Sequence, residues 1–556
     1  MASLQAYQSH GIRYWRIVES YRKEDGKPTL RVLAHLGRVD DILQLHQGAE
    51  TSRVKVSSVS AGAVTALYRL AEELDLAARI DRAVAKAGAV QTRDGLSVGQ
   101  SLLAAIIARA CAPRSKRAFA EWAKSTYLPE LMGFRAEALT SQHFWDQMQA
   151  LPIAKLAQIE QQLVSEVVRR EQLKVRALAY DTTNFYTHIA TTNLHCKLPQ
   201  RGHNKQRRHD LRQMGLALIV DQDTRYPLAH ALYEGARSDM RTFAEFLKPL
   251  RKHLGELSAD TEQLTLVFDA GSSSKANLLG VEQYVTAVRP SDHRALLAEA
   301  SAHLAPVLLA HGTEVRAWRT TRSIAGRERE VVIVFSPQLH AGQLRGLRQS
   351  LDRCLPELTA LLTSERITEA AAKRKLARLS ARQYLRQLLC HEVTSDSHAD
   401  LQVRVWCDVP EYQRLLKRYL GLRVLITDRR EWGTAQIIEA YRGQSKIEAA
   451  FRDLKDPHML ATRPQFHWTD QKLHVHVFLC VIAYLLVTML HRRAVQQAAF
   501  DGSARRLLAE LAQLRCCRLI DVTGRKGRPR VRWQIEDTDS AQRTLLDALS
   551  AIPTVN

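Results

Sequence analysis

VRALAYDTTN (residues 175–184) and LTLVFDAGSSS (residues 264–274) share one pattern: an apolar run with strand propensity that gives way to an aspartate, Asp181 in the first and Asp269 in the second. Between them, Met214 to Val220 reads as a second strand, Asp221 to Arg225 as a turn, and Pro227 to Tyr233 as a third strand, an antiparallel meander. Ser238 and Asp239 then cap a helix reaching about Leu254, with Met240, Phe243, Phe246, Leu247 and Leu250 at helical spacing. After Asp269 come a short helix at Leu278 to Glu282 and a fifth strand at Tyr284 to Val288. The order strand, strand, strand, helix, strand, helix, strand is an α/β arrangement. A lone aspartate at a strand end is usually a solvated residue or a cap. Two of them, ending the first and fourth strands of this order, are expected on neighbouring strands. Hard divalent cations want such oxygen ligands, and a pair of ions can activate an attacking oxygen while stabilising a leaving one. A third acid is then required.

The helix expected over Thr434 to Lys455 supplies it. Ile437, Ile438, Tyr441, Ile447, Phe451 and Leu454 face a core, and Tyr441, Gln444, Glu448, Arg452 and Lys455 recur every three to four residues as one stripe beside them. A surface ion pair between Glu448 and Arg452 is the plainer reading of the middle of that stripe. Tyr441, Glu448 and Lys455 follow the spacing Y-x2-R-x3-E-x6-K, with Gln444 where the arginine belongs and Arg442 and Lys446 nearby. Further blocks are Ser97-Val98-Gly99, Pro113 to Lys116, Arg201 to Lys205, Arg208 to Arg212, Gly235 to Asp239, Arg463-Pro464, His467 and His476. Together they resemble the DDE-class transposases of bacterial insertion sequences that carry an inserted domain.

The resemblance implies an RNase H-like catalytic core, a mixed five-stranded sheet with flanking helices, interrupted by an inserted α+β domain. It also implies that Asp181, Asp269 and Glu448 hold two Mg²⁺ ions, with Mn²⁺ as a substitute, and that the enzyme cleaves terminal inverted repeats and transfers strands into target DNA. Tyr441, Arg442, Gln444, Arg452 and Lys455 would contact that double-stranded DNA, and a homodimer would hold two ends. In related transposases an aromatic side chain stacks on a flipped base; Trp318, Trp406 and Trp432 are the candidates here, against the commoner role of a core tryptophan.

Outward from the core, the expected divisions are a small strand-rich module at 1–58, a helical and possible DNA-binding domain at 59–172, and the first part of the core at 173–290. The insertion at 291–425, the rest of the core with the Glu helix at 426–500, and a basic segment at 501–556 follow. The first module holds a hairpin, Tyr14 to Val18 and Leu30 to Leu33, around an Asp25-Gly26 turn. Thr51 to Gly62 is Ser- and Thr-rich and reads as a linker. Ser97 opens one helix, ending at Pro113, and Ser141 another. In the insertion, Val315 to Trp318, Glu330 to Phe335 and Val403 to Trp406 read as strands, and Gln343 to Leu362 and Thr368 to Leu389 as basic helices. Gly524 to Arg530 is a basic hairpin tip or, alternatively, a minor-groove hook.

The charge supports a polyanionic partner: 80 Lys and Arg against 58 Asp and Glu leave +22 over 556 residues. Arg201, Lys205, Arg207, Arg208 and Arg212 are placed to neutralise phosphates near Asp181, unless they form a solvated loop. The N-terminus lacks a secretory pattern, and the apolar run Val477 to Leu490 is short of the roughly twenty residues that span a bilayer. A cytoplasmic, nucleoid-associated protein without a membrane partner is expected. Eight cysteines without a CxxC suit a reducing compartment. His195, Cys196, His203 and His209 match no common zinc spacing. Two other readings stay open: a transposase-derived regulator that binds DNA without cutting it, and an RNase H-like nuclease.

Overall fold

The two aspartate strands lie side by side. In the computed structural model, Ala177–Thr187 (β1) pairs with Arg212–Asp221 (β2) and β2 with Pro227–Glu234 (β3), both antiparallel; Thr265–Phe268 (β4) runs parallel to β1, and Tyr284–Val288 (β5) parallel to β4. Residues 2–23, 27–39, 42, 53–85, 92–202, 208, 210–238, 241–247, 264–363, 367–381, 384–395, 401–463, 466–522 and 530–552 are described. The order β3-β2-β1-β4-β5, with its antiparallel meander and two parallel neighbours, is consistent with an RNase H-like core plus an insertion.

Two expectations are corrected. Asp181 does not end β1: the strand pairs with β4 only from Ala177 to Tyr180, then continues through Asp181 to Thr187 on β2 alone. The parallel ladder stops at Asp181, so the carboxylate sits where the sheet opens. The helix after β4 is Lys275–Gly280, capped by Ser274, whose side chain accepts from Asn277 N. Of the helix expected from Ser238, residues 241–247 are helical; its expected start at Asp239 and its end beyond Leu247 lie outside the described residues.

The sheet has nine strands, not five. Ala305–Leu308 (β6), Glu314–Ile324 (β7), Arg327–Phe335 (β8) and Leu422–Thr427 (β9) extend it past β5 in the order β6-β7-β8-β9-β5, all antiparallel. Two strands assigned to the insertion therefore belong to the central sheet. The physical reason is the edge of β5, whose backbone groups need partners that β9 supplies. Ile437, Ile438 and Tyr441 pack on Val267, Val285, Val332 and Leu425, so the third-acid region rests on old and added strands alike.

What remains of the insertion is a helical layer, Pro337–Leu362, Glu369–Ser380, Leu385–Leu388 and Val409–Arg418, with the hairpin Leu389–Ser395 and Leu401–Cys407. Its own core gathers Leu347, Cys354, Leu358, Leu376 and Leu385. The long helix Asp470–Ala498 is apolar and long enough to cross a membrane by composition, and 94% of its most apolar window is buried within the protein. Most of the described residues of 62–170 are helical, in helices that include Val98–Cys111, which opens on a capping box between Ser97 and Gln100, and Ser141–Ala150.

By contacts the chain divides into two units, residues 71–114 with 142–492, which hold the nine-stranded sheet, and residues 1–70, 115–141 and 493–556. The second of these contains a three-stranded sheet, Ala2–Ser9, Ile12–Arg22 and Pro28–Gly37; the expected hairpin is present, and its Asp25-Gly26 turn lies outside the described residues. The expected linker is a strand. Arg53–Ser60 pairs with Arg515–Val522, which pairs in turn with Arg530–Ile535. Ser58 explains the polar composition: its hydroxyl donates to Glu536 and accepts from Arg515 Nε at 2.6 Å. The basic tip at 524–529 lies outside the described residues.

Candidate active site

Each aspartate is held by a backbone amide close by in the chain. Asp181, half-buried, accepts from Thr182 N at 2.7 Å, and Asp269, one residue past β4, accepts from Gly271 N at 2.9 Å. A Cβ on Gly271 would stand 3.0 Å from that Asp269 oxygen, so only glycine leaves the carboxylate undisturbed. β5 supports the same end of β4 through Thr286, whose hydroxyl donates to Phe268 O at 2.8 Å.

Glu448 is exposed in the first turn of Ser445–Lys455, where the helix dipole favours a carboxylate. The single expected helix is two, Thr434–Arg442 and Ser445–Lys455, broken at Gly443 and Gln444. Close packing makes the break: a Cβ on Gly443 would lie 2.0 Å from Gln222 Oε1, while Gln222 Nε2 donates to Ala440 O at 3.0 Å. Gln444 is 7% exposed and its Nε2 donates to Tyr180 O at 2.7 Å. The bond ties the start of the Glu448 helix to the residue before Asp181. At the other end, the Lys455 ammonium donates to the Thr183 hydroxyl, with the Phe185 ring at 5.5 Å. Both ends of the helix are thus fastened to β1 on either side of Asp181.

Tyr441 lies buried near the end of Thr434–Arg442. Burial pushes its phenol above the ordinary tyrosine range, the Arg423 guanidinium opposes the rise, and Asp269, Glu448 and Asp181 each add to it. Arg423 sits over the ring at 5.0 Å. The helix of Tyr441 packs on β4 and β5, the strand that leads into Asp269 and its neighbour. Among the described residues no three His, Cys, Asp or Glu side chains close into a ready-made metal cluster. The donor chemistry nonetheless fits hard divalent cations, being oxygen alone.

Two family models match the chain. Residues 174–486, more than half of the chain, match the transposase DDE domain. The chain belongs to the DDE transposase family. Residues 6–92 of this transposase match the N-terminal domain of IS1634 family transposases, which makes it a transposase of the insertion-sequence kind. Among solved structures, a cryo-EM structure of the piggyBac transposase synaptic complex with hairpin DNA aligns over 80% of this chain and 79% of that one, at 8% identity and a TM-score of 0.40. A comparison with curated proteins gave no match.

The remaining candidate residues of the transposase separate. Arg442, Arg452 and Arg201 are exposed. Lys205 and Arg207 lie outside the described residues, as do His203 and His209. Arg208 forms a two-pronged pair with Asp210, 2.8 and 2.7 Å. Arg212 spends its guanidinium on the carbonyls of Pro199 at 2.6 Å, Ala190 at 3.2 Å, Asn193 and Cys196, bracing the loop after β1. Cys196 is buried, and burial pushes its thiol up to about 11, which disfavours the thiolate a zinc site needs. Trp318 stacks on His303 at 5.0 Å, and Trp432 packs beside the core under Arg429 at 5.4 Å; Trp406, on the insertion's hairpin, is 50% exposed. Arg423 and Thr183 were not singled out from sequence. Arg423 falls inside the stretch read as insertion, and the available signal was the apolar run of β9 around it.

Proposed function

We propose that this transposase cuts DNA at the terminal inverted repeats of an insertion sequence and joins the freed 3′ ends to target DNA. The observation that carries the reading is that Asp181 and Asp269 stand on or just past adjacent parallel strands, while Gln444 and Lys455 fasten the Glu448 helix to β1 on either side of Asp181. Asp181, Asp269 and Glu448 would hold two Mg²⁺ or Mn²⁺ ions. Bound there, the ions would supply Lewis-acid stabilisation of the oxygens that attack and leave the phosphorus. Tyr441 and Lys455, the latter held by Thr183, would position a DNA phosphate beside Asp181. Water is the first nucleophile and the freed 3′-hydroxyl the second, each attacking in line. Trp406, the exposed member of the three candidates, is the residue for stacking on an unpaired base. Cutting two ends together calls for a homodimer on DNA, acting in the cytoplasm.

The test is cleavage of labelled DNA carrying the repeats that flank the gene, with Mg²⁺ and with EDTA. Metal-dependent nicking at the repeat boundary, reduced at least a thousandfold in Glu448→Gln and Asp269→Asn, is the expected outcome. Full strand cleavage by Asp269→Asn would sink the reading. Light scattering of the DNA complex tests the homodimer.

A further inference from the structure

Ala2–Ser9 is the first strand of the N-terminal three-stranded sheet, and it lies at an edge: it pairs with Ile12–Arg22 and, among the described residues, with no other strand. The ladder is unbroken from Ala2 opposite Glu19 to Ser9 opposite Ile12, and a turn at His10 and Gly11, with φ of 50° and 78°, closes it as a tight hairpin. One row of side chains is committed to the sheet: Tyr7 stacks on Tyr14 at 5.7 Å, and Gln5 accepts from Arg16 Nε at 3.0 Å. The other row, Ala2, Leu4, Ala6 and Gln8, is exposed, Leu4 at 59%. The free side of the strand is therefore a regular line of backbone N–H and C=O groups with a largely apolar row beside it.

A free edge invites another strand, and proteins usually blunt it with a charge, a proline or a bulge. Every other edge strand of four or more residues among the described residues is blunted in this way. Pro28–Gly37, the opposite edge of the same sheet, begins on a proline, carries Arg31 and meets its neighbour through register shifts. In the central sheet, β6 has Pro306, and β3 has Pro227 and Glu234. Arg53–Ser60 carries Lys55, Arg530–Ile535 carries Arg532, and the insertion's hairpin carries Glu392 and Arg404. Ala2–Ser9 has no charge, no proline and no bulge, in a chain with 80 Lys and Arg.

The missing charge also selects the partner. DNA would draw on cations, and the strand has none. A charged segment of another protein would meet no counter-charge. A second copy of the same strand meets a neutral equal, and a two-fold axis lets the two run antiparallel with both exposed rows on one face. Opposed residues share a face, so matching the rows requires one residue near the middle, Gln5 or Ala6, to stand opposite itself.

We propose that Ala2–Ser9 is an interface between two copies of this chain, the two strands pairing antiparallel to join the two N-terminal sheets into one. That the pair then serves two DNA ends rests on the cut-and-join reading; the strand pairing does not.

Single cysteines placed in turn from Ala2 to Ser9 of the full-length protein test it by disulfide formation with oxidised glutathione, with and without duplex DNA. Wild type is the control for the exposed Cys407. Opposed residues of an antiparallel pair have Cα atoms about 4.5–5.5 Å apart, within disulfide reach. Crosslinked dimer is expected at Gln5→Cys or Ala6→Cys, and at least tenfold less at Ala2→Cys and Ser9→Cys. In the condition that crosslinks, light scattering should give a dimer for wild type and a monomer for the double variant Leu4→Lys with Ala6→Lys, exposed positions whose new charges face each other across the axis. No crosslink in either condition, equal yields along the strand, an equal yield from Arg31→Cys on the opposite edge, or a double variant that stays dimeric overturns the proposal. Crosslinking without nicking of repeat DNA leaves the interface and removes the cut-and-join reading; nicking without crosslinking does the reverse.

Discussion

Gln444 stands where the family spacing has arginine, and its surroundings explain the departure. The position is buried, and its side chain bonds the backbone of β1. Gln444→Leu should therefore cost about 1 kcal/mol of stability, the worth of a lost buried hydrogen bond, with DNA affinity retained. A denaturant titration beside a DNA-binding isotherm decides the matter: unchanged stability with weakened binding would return Gln444 to the DNA-contacting stripe. Lys472 gives a second prediction. It is fully buried, donates to Gln149 Oε1 at 2.7 Å, and lies over the Trp145 ring at 4.7 Å. Burial holds its pKa down at about 8, against 10.5 for an ordinary lysine. Between those values the unfolded chain binds the extra proton, so Lys472 makes stability rise with pH across that window; below pH 8 both states are charged and its burial is a constant cost. Thermal midpoints of wild type and Lys472→Met, compared at pH 7 and pH 10, should show wild type gaining on the variant at the higher pH. A gap that does not change with pH would mean that the ammonium is solvated.

Among the elements, the break between the two helices is the feature on which the site turns. Gly443→Ala forces a Cβ into Gln222, and overpacking of this kind costs about 1–3 kcal/mol. Because the break also aims Glu448, the variant should lose nicking activity more than tenfold at a temperature where circular dichroism shows it folded. Activity lost only in step with folding would place the break outside the site's geometry. Sequence could not show this break, since apolar residues continue at helical spacing from Ile437 to Leu454 across it and Gly443 is a weak signal by itself. The aspartates were legible for the opposite reason: each follows a run of strand-forming apolar residues, and strand periodicity is local. Arg53–Ser60 was not legible, because its partner strand lies over 450 residues away and its serines mimic a linker. Of the added strands, β7 and β8 were read as strands and β6 and β9 were not, and which sheet a strand joins is a non-local fact. Capping was legible at Ser97, where one serine and one glutamine three residues on make a reciprocal pair, and Ser97→Ala should lower stability by about 1 kcal/mol in the same denaturant titration.

Across the whole molecule, the net charge of +22 was visible in composition, and on the proposed function it should govern how tightly DNA is held rather than where it is cut. Several basic residues read as phosphate contacts are engaged within the protein: Arg212 braces a loop and Arg208 pairs with Asp210. Arg201, Arg289, Arg442 and Arg452 remain exposed. If exposed cations meet six to ten phosphates, counterion release makes affinity for DNA fall roughly 10³- to 10⁵-fold between 50 and 200 mM salt. The same dependence should hold for repeat DNA and for unrelated DNA, because phosphate contacts carry no sequence information, so the ratio of the two affinities should change little. Removing one exposed arginine, as in Arg452→Ala, should reduce the slope of log affinity against log salt by about 1 if that side chain meets a phosphate. Isotherms at four salt concentrations with both DNAs measure all three quantities. A slope near zero would place the excess charge away from DNA, and an unchanged slope in Arg452→Ala would remove that residue from the bound surface while leaving the acids' reading intact.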